Sequence, residues 1–101
     1  MAVVVKSKIP EGTPREAFDA VSKLVDAQKN PPPGLIVHTA VERDGRIVVI
    51  DVWDSEEAFR TFEDQTLRPA VEKVMTDMGA PTDGPPPDQE VLEVFDLARG
   101  K

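Results

Sequence analysis

The chain's single histidine and single tryptophan, His38 and Trp53, fall in one stretch, VHTAVERDGRIVVIDVW, which also carries Asp51. A carboxylate beside an imidazole accepts one ring N–H, fixes the tautomer and makes the other nitrogen a better proton acceptor, which is how a general base is oriented. In a dry aliphatic pocket such a base takes a proton from an activated carbon or a phenol, and an indole supplies a flat wall for an aromatic substrate. General base catalysis contributes about 10²- to 10⁴-fold, enough for a substrate already predisposed to react. The same residues also have a purely structural reading: a buried His and Asp satisfy each other, and a Trp at a strand end plugs a core.

For His38 and Asp51 to meet, two strands must be aligned. GLIVHTAVE and RIVVIDVW flank Asp44 and Gly45, a pair that supplies the positive φ angles of a type I′ hairpin turn. If those two residues form the whole turn, Arg43 faces Arg46, Ala40 faces Val49, His38 faces Asp51 and Ile36 faces Trp53. His38 and Asp51 then occupy a non-hydrogen-bonded position, where Cα atoms lie about 4.5 Å apart. Trp53 stands two residues along on the same face. A three-residue loop or a bulge would shift this register.

Other chemistries are restricted by composition. The 101 residues make one domain, 1–101, and the absence of Cys removes disulfides, thiolate chemistry and Cys-ligated metal sites. A single His excludes a multi-His metal centre, and Glu42, the remaining candidate beside His38 and Asp51, lies too near the hairpin tip to converge with them. No metal and no cofactor is therefore expected. Nineteen acidic against 12 basic side chains give a net charge of −7, with the basic residues scattered, which argues against nucleic acid. Aromatics are only 5% of the chain, so the core must be aliphatic and a large stacked cofactor would find few partners. No segment reads as a signal peptide or a membrane span, and the expected location is the cytoplasm.

The remaining elements follow from local pattern. AVVVKSKI is a first strand, ended by Pro10 and Gly12. TPREAFDAVSKLVDAQK reads as a helix with Thr13 as cap, Pro14 at its first position and Glu16 completing a capping box, stopped by NPPPG. After Trp53, Asp54 can cap a second helix with Ala58, Phe59, Phe62 and Leu67 on its apolar side, broken or kinked at Pro69 and followed by another helical piece. GAPTDGPPPD is an exposed loop and QEVLEVFDL a final strand. The order strand, helix, strand, strand, helix, strand is the ferredoxin-like βαββαβ plan of the α+β class: a four-stranded antiparallel sheet with both helices on one face. Ile47 and Val49 point to one side of the third strand, while Val48, Ile50 and Val52 point to the other. Both faces of the sheet are thus apolar, and the helices cover one. A second copy covering the other gives a homodimer through the sheet faces.

VIDVWDSEEAFRTF, with the hairpin before it and LRPAV after it, resembles the antibiotic-biosynthesis-monooxygenase-like group of the dimeric α/β barrel superfamily. The resemblance implies a homodimer with a cavity between sheet and helices in each subunit. It implies an activity among cofactor-free monooxygenases of polycyclic aromatic polyketides, polyketide cyclases or haem-degrading enzymes. Haem degraders carry a histidine on the helix after the Trp, where this chain has Phe59, Arg60, Thr61, Phe62 and Glu63, and a first-strand Asn, where it has Lys6 and Ser7. Quinone-forming members employ a Tyr, which this chain lacks. Trp53 carries over, and His38 with Asp51 would replace the phenol. The expected function is a cofactor-independent monooxygenase or cyclase acting on an aromatic or polyketide-like molecule. His38 and Asp51 would be catalytic, and Trp53, Phe59 and Phe62 would bind substrate. The alternative is a non-catalytic dimeric module that binds a small apolar ligand or assists a partner enzyme.

Overall fold

Strand β1 (Val3–Lys8) leads into helix α1 (Arg15–Val25), the hairpin β2 (Leu35–Arg43) and β3 (Arg46–Trp53), helix α2 (Glu56–Phe62), a π-helical turn Glu63–Leu67, helix α3 (Arg68–Asp77) and strand β4 (Asp88–Glu93). This computed structural model describes residues 1–82, 84 and 86–100. The strands form one antiparallel sheet in the order β2-β3-β1-β4, the α+β ferredoxin-like arrangement that the pattern predicts. Asp83 and Pro85 of the expected loop before β4 lie outside the described residues.

Alternation sets the two faces. On the helix side, Val3, Val5, Ile47 and Trp53 are buried, together with Phe59 of α2. Val3, Val5, Trp53 and Phe59 form one contiguous core, with Leu35, Phe62 and Val91 packed against it. On the opposite side Val37 pairs with Val52, Val41 with Val48 and Leu92 with Val4, and Val37, Val41 and Leu92 remain exposed.

Three boundaries depart from the sequence expectation. Helix α1 begins at Arg15 with Pro14 as a cap that makes no side-chain bond, and the Thr13 hydroxyl instead donates to the Pro10 carbonyl at 2.7 Å. That tight loop after β1 takes the hydroxyl, so no capping box forms. The helix ends at Val25 because Asp26 adopts φ 52°, well before the prolines, and Gln28 lies beyond it. Helix α2 is capped by Ser55, whose side chain accepts from the Ala58 amide at 3.0 Å, and not by Asp54. The Asp54 amide donates to the Gly34 carbonyl at 2.8 Å and ties the start of β2 to the end of β3.

Pro69 does not break the helical path. The residues from Phe62 to Arg68 keep right-handed helical dihedrals, and the Arg68 amide reaches five residues back to the Glu63 carbonyl. A π turn before a proline absorbs the ladder bond that the ring cannot make. At the other end of the chain the expected final strand stops at Glu93, leaving Phe95 fully exposed.

Candidate active site

The hairpin turn places Asp44 at φ 53° and Gly45 at φ 76°, the two positive values that a type I′ turn requires. The closing pair Arg43–Arg46 then sets every rung up to Val37–Val52, including His38 opposite Asp51. Beyond that rung a bulge intervenes, so Leu35 and not Ile36 faces Trp53. The apolar run Leu35–Ile36–Val37 carries no alternation that could have marked the extra residue.

His38 Nδ1 lies 2.8 Å from Asp51 Oδ1. Asp51 is buried on the central strand β3, whereas the His38 side chain on the edge strand β2 keeps 37% of its surface exposed. The hydrogen bond from Asp51 raises the His38 pKa above its ordinary 6.5, partial burial pulls it down, and the Asp51 charge adds to the rise; the sum is upward. With Nδ1 engaged as the donor, Nε2 is left as the acceptor.

Trp53 is 1% exposed. Phe59 meets it edge to face with centroids 5.7 Å apart, and Phe62 lies tilted against it at 5.2 Å. The indole is thus a core plug held by both phenylalanines, but one atom is left over: Trp53 Nε1 is buried with no hydrogen-bond partner. A buried orphan donor costs about 1–3 kcal/mol.

Between the sheet and the helices lies a cavity of about 610 Å³. His38, Asp51, Trp53, Phe59 and Phe62 all contribute to its wall, so all five sequence candidates come together in one space. Its volume is that of a small-molecule site. Aliphatic side chains of α1, the π turn, α3 and the sheet line much of the rest, as Val21, Leu67, Val71, Met75 and Val49 illustrate.

Polar side chains of α1 and the loops also border the cavity, Lys23 and Asp26 among them, and on the β1–β4 side of the sheet the wall carries Ser7 and Gln89. Ser7 is buried and directly opposite Gln89 on β4, whereas Lys6 and Lys8 alternate to the other face. Inward parity on a strand reading DQEVLE marks Gln89 in retrospect, as the only polar side chain between Asp88 and Val91 on that face. Among the described residues no group of three or more His, Asp or Glu side chains is placed to hold a metal ion, and Glu42 turns to Arg15 at 3.6 Å.

The scan against family models and the search of curated proteins return no match. Solved structures do match over nearly the whole chain. A protein from Nitrosomonas europaea, provisionally named an antibiotic biosynthesis monooxygenase, superposes with a TM-score of 0.65 at 12% identity, covering 95% of this chain and 100% of its own. SnoaB, a cofactor-independent oxygenase from Streptomyces nogalater, gives 0.57 at 20% identity over 95% and 94% of the two chains. A haem-degrading protein from Mycobacterium tuberculosis, in a haem-free form, gives 0.57 at 23% identity over 99% and 100%. The chain therefore has the antibiotic-biosynthesis-monooxygenase-like fold. Among the described residues no helix is long and apolar enough to cross a membrane.

Proposed function

We propose that this chain is a cofactor-independent enzyme of monooxygenase or cyclase type that removes a proton from an aromatic or polyketide-like molecule. The observation that carries the reading is the His38–Asp51 contact of 2.8 Å in the wall of an apolar cavity of about 610 Å³. Likeness of fold to a cofactor-independent oxygenase supports the same class of chemistry.

In this reading Asp51 accepts the Nδ1–H of His38 and sets the tautomer, and His38 Nε2 takes a proton from an activated C–H or phenol. Trp53, Phe59 and Phe62 form the aromatic end of the pocket. A carbanion formed this way can pass electrons to O₂. A CH₂ group then becomes a carbonyl, the substrate itself being the reductant, and the second oxygen atom leaves as water. Closure of the same carbanion onto an internal carbonyl would be the cyclase outcome. No haem, flavin or metal takes part in either route.

The working unit is a homodimer in which the exposed Val37, Val41 and Leu92 of one sheet meet those of a second copy. The protein is expected to act in the cytoplasm.

The test is His38→Gln, assayed by oxygen uptake with an anthrone and by cyclisation of a poly-β-ketone. Loss of turnover with an unchanged circular dichroism spectrum supports the reading; full retained turnover overturns it. A second reading, a ligand-binding module without turnover, is favoured by the near-complete burial of Trp53 and the mutual satisfaction of His38 and Asp51. Under it the wild-type protein binds the anthrone and consumes no oxygen.

A further inference from the structure

The helix-facing side of the sheet carries a second set of polar groups away from His38. Across the four strands Ala40, Val49, Ser7 and Gln89 form one row, and His38, Asp51, Val5 and Val91 form the next. Ser7 and Gln89 therefore stand side by side on β1 and β4, one row from the His38–Asp51 pair. By strand spacing, Ser7 is about 10 Å across and about 7 Å along the sheet from His38. Both residues line the same cavity as the imidazole.

The Gln89 amide is held in one orientation. Arg60 Nη1 donates to its Oε1 at 2.9 Å, and its Nε2 donates to Glu63 Oε2 at 2.7 Å. Arg60 also reaches Glu63 Oε1 at 3.2 Å, which closes the triangle. Guanidinium only donates and carboxylate only accepts, so the amide cannot flip without losing both bonds. One of its two Nε2 hydrogens is committed to Glu63; the second has no acceptor within hydrogen-bond distance among the described residues, and Ser7 is the residue opposite on β1. The charged partners lie 26 and 29 residues away in sequence, at the junction of α2 and the π turn. Holding one amide in a cavity wall with a charged pair does more than a packing role on an edge strand requires.

We infer that Ser7 and Gln89 are specificity-determining residues that take a ligand oxygen remote from the atom His38 deprotonates, with Arg60 and Glu63 as positioning residues for Gln89. The ligand is then an extended, largely apolar molecule with oxygen at both ends: an acidic group at His38 and an acceptor at Ser7 and Gln89. This inference rests on the proposed occupancy of the cavity by an aromatic molecule.

Two probes separate the poles: 1-naphthol, with one hydroxyl, and 1,5-dihydroxynaphthalene, with a second on the far ring. Binding of each to the whole protein is measured by titration calorimetry. The wild type should prefer the diol by about three- to tenfold, the usual net worth of a hydrogen bond. Ser7→Ala and Gln89→Leu should each reduce that preference, weakening the diol more than 1-naphthol. Glu63→Ala should reduce it too, by freeing the amide; a merely structural Glu63 would weaken both probes alike. Ser7→Ala removes one oxygen and keeps the test valid if Gln89→Leu fails to fold. Equal binding of both probes to the wild type, or a preference that survives in Ser7→Ala and Gln89→Leu, overturns the inference alone. If neither probe binds the wild type, the reading of the cavity as an aromatic-ligand site fails with it.

Discussion

His38 and Asp51 sit on the same rung of neighbouring strands, with Nδ1 and Oδ1 2.8 Å apart, one residue on the open edge of the sheet and the other buried on its central strand. The buried partner is the carboxylate and the part-exposed one the imidazole. The ring is therefore anchored at one nitrogen while its other nitrogen stays reachable.

Because this is the chain's only histidine, its protonation can be followed by NMR without assignment ambiguity. The titration midpoint is expected above 6.5, since the bond to Asp51 outweighs partial burial. A base must be neutral to work, so the rate should rise with pH through that midpoint. Asp51→Asn removes both the bond to a carboxylate and its charge, and should move the midpoint and the rate profile to lower pH. A midpoint in Asp51→Asn at or above that of the wild type would contradict the pairing.

The same shift has a stability consequence. A histidine whose pKa is raised on folding contributes stability that is complete below the unfolded value of about 6.5 and is lost as pH rises through the folded value. Urea unfolding of wild type against His38→Gln should therefore show the wild-type advantage at pH 5 and lose that ionic component by pH 9. With over a third of the imidazole exposed, solvent screening should hold it under about 1 kcal/mol.

Trp53 allows packing to be separated from hydrogen bonding. Trp53→Ala empties the centre of the Val3, Val5 and Phe59 cluster and should cost about 3–5 kcal/mol. Trp53→Phe keeps most of the contacts and deletes the unpartnered Nε1, so relief of that orphan offsets part of the packing loss. Chemical denaturation should place it well above Trp53→Ala in stability. A phenylalanine variant as unstable as the alanine one would mean that ring packing at this position does not carry the stability of the cluster.

How much of this was legible in the sequence depends on the range of the interaction concerned. The turn chemistry of Asp44 and Gly45 is local, and it sets the register far enough to place His38 against Asp51. The bulge at Ile36 is not marked, because three successive apolar residues fit either register equally. Thr13 has the right type and spacing for a cap, yet the loop it closes through Pro10 competes for the same hydroxyl. Gln89 is the clearest case of hidden information. Its partners Arg60 and Glu63 look like a solvated helix face when read alone, and only the β1–β4 pairing brings the strand beneath them.

Gly34 is expected to be intolerant of any side chain. Its φ is 90°, and an added Cβ would lie 2.6 Å from Ala58 Cβ and 2.8 Å from Asp54 Oδ1. The Asp54 carboxylate can rotate away, but Ala58 Cβ cannot retreat, since the Ala58 amide is held by the Ser55 cap. Gly34→Ala should cost about 2 kcal/mol or more from the backbone conformation and the clash together, read as a lower urea midpoint.

The outer sheet face gives a test in which folding and assembly move independently. Val41 is 48% exposed on the edge strand, opposite Val48 and on the side away from the helices. In an isolated chain, Val41→Lys at such a position should change stability by only about 0.5 kcal/mol. In a face-to-face dimer it would bury a charge on each side of an interface that needs about 800 Å² per partner, and two-fold symmetry doubles the penalty. Sedimentation velocity should therefore show a wild-type dimer and a Val41→Lys monomer with the same circular dichroism spectrum. If the wild type sediments as a monomer, this face has another role. If the lysine variant remains dimeric, the two copies meet through a different surface.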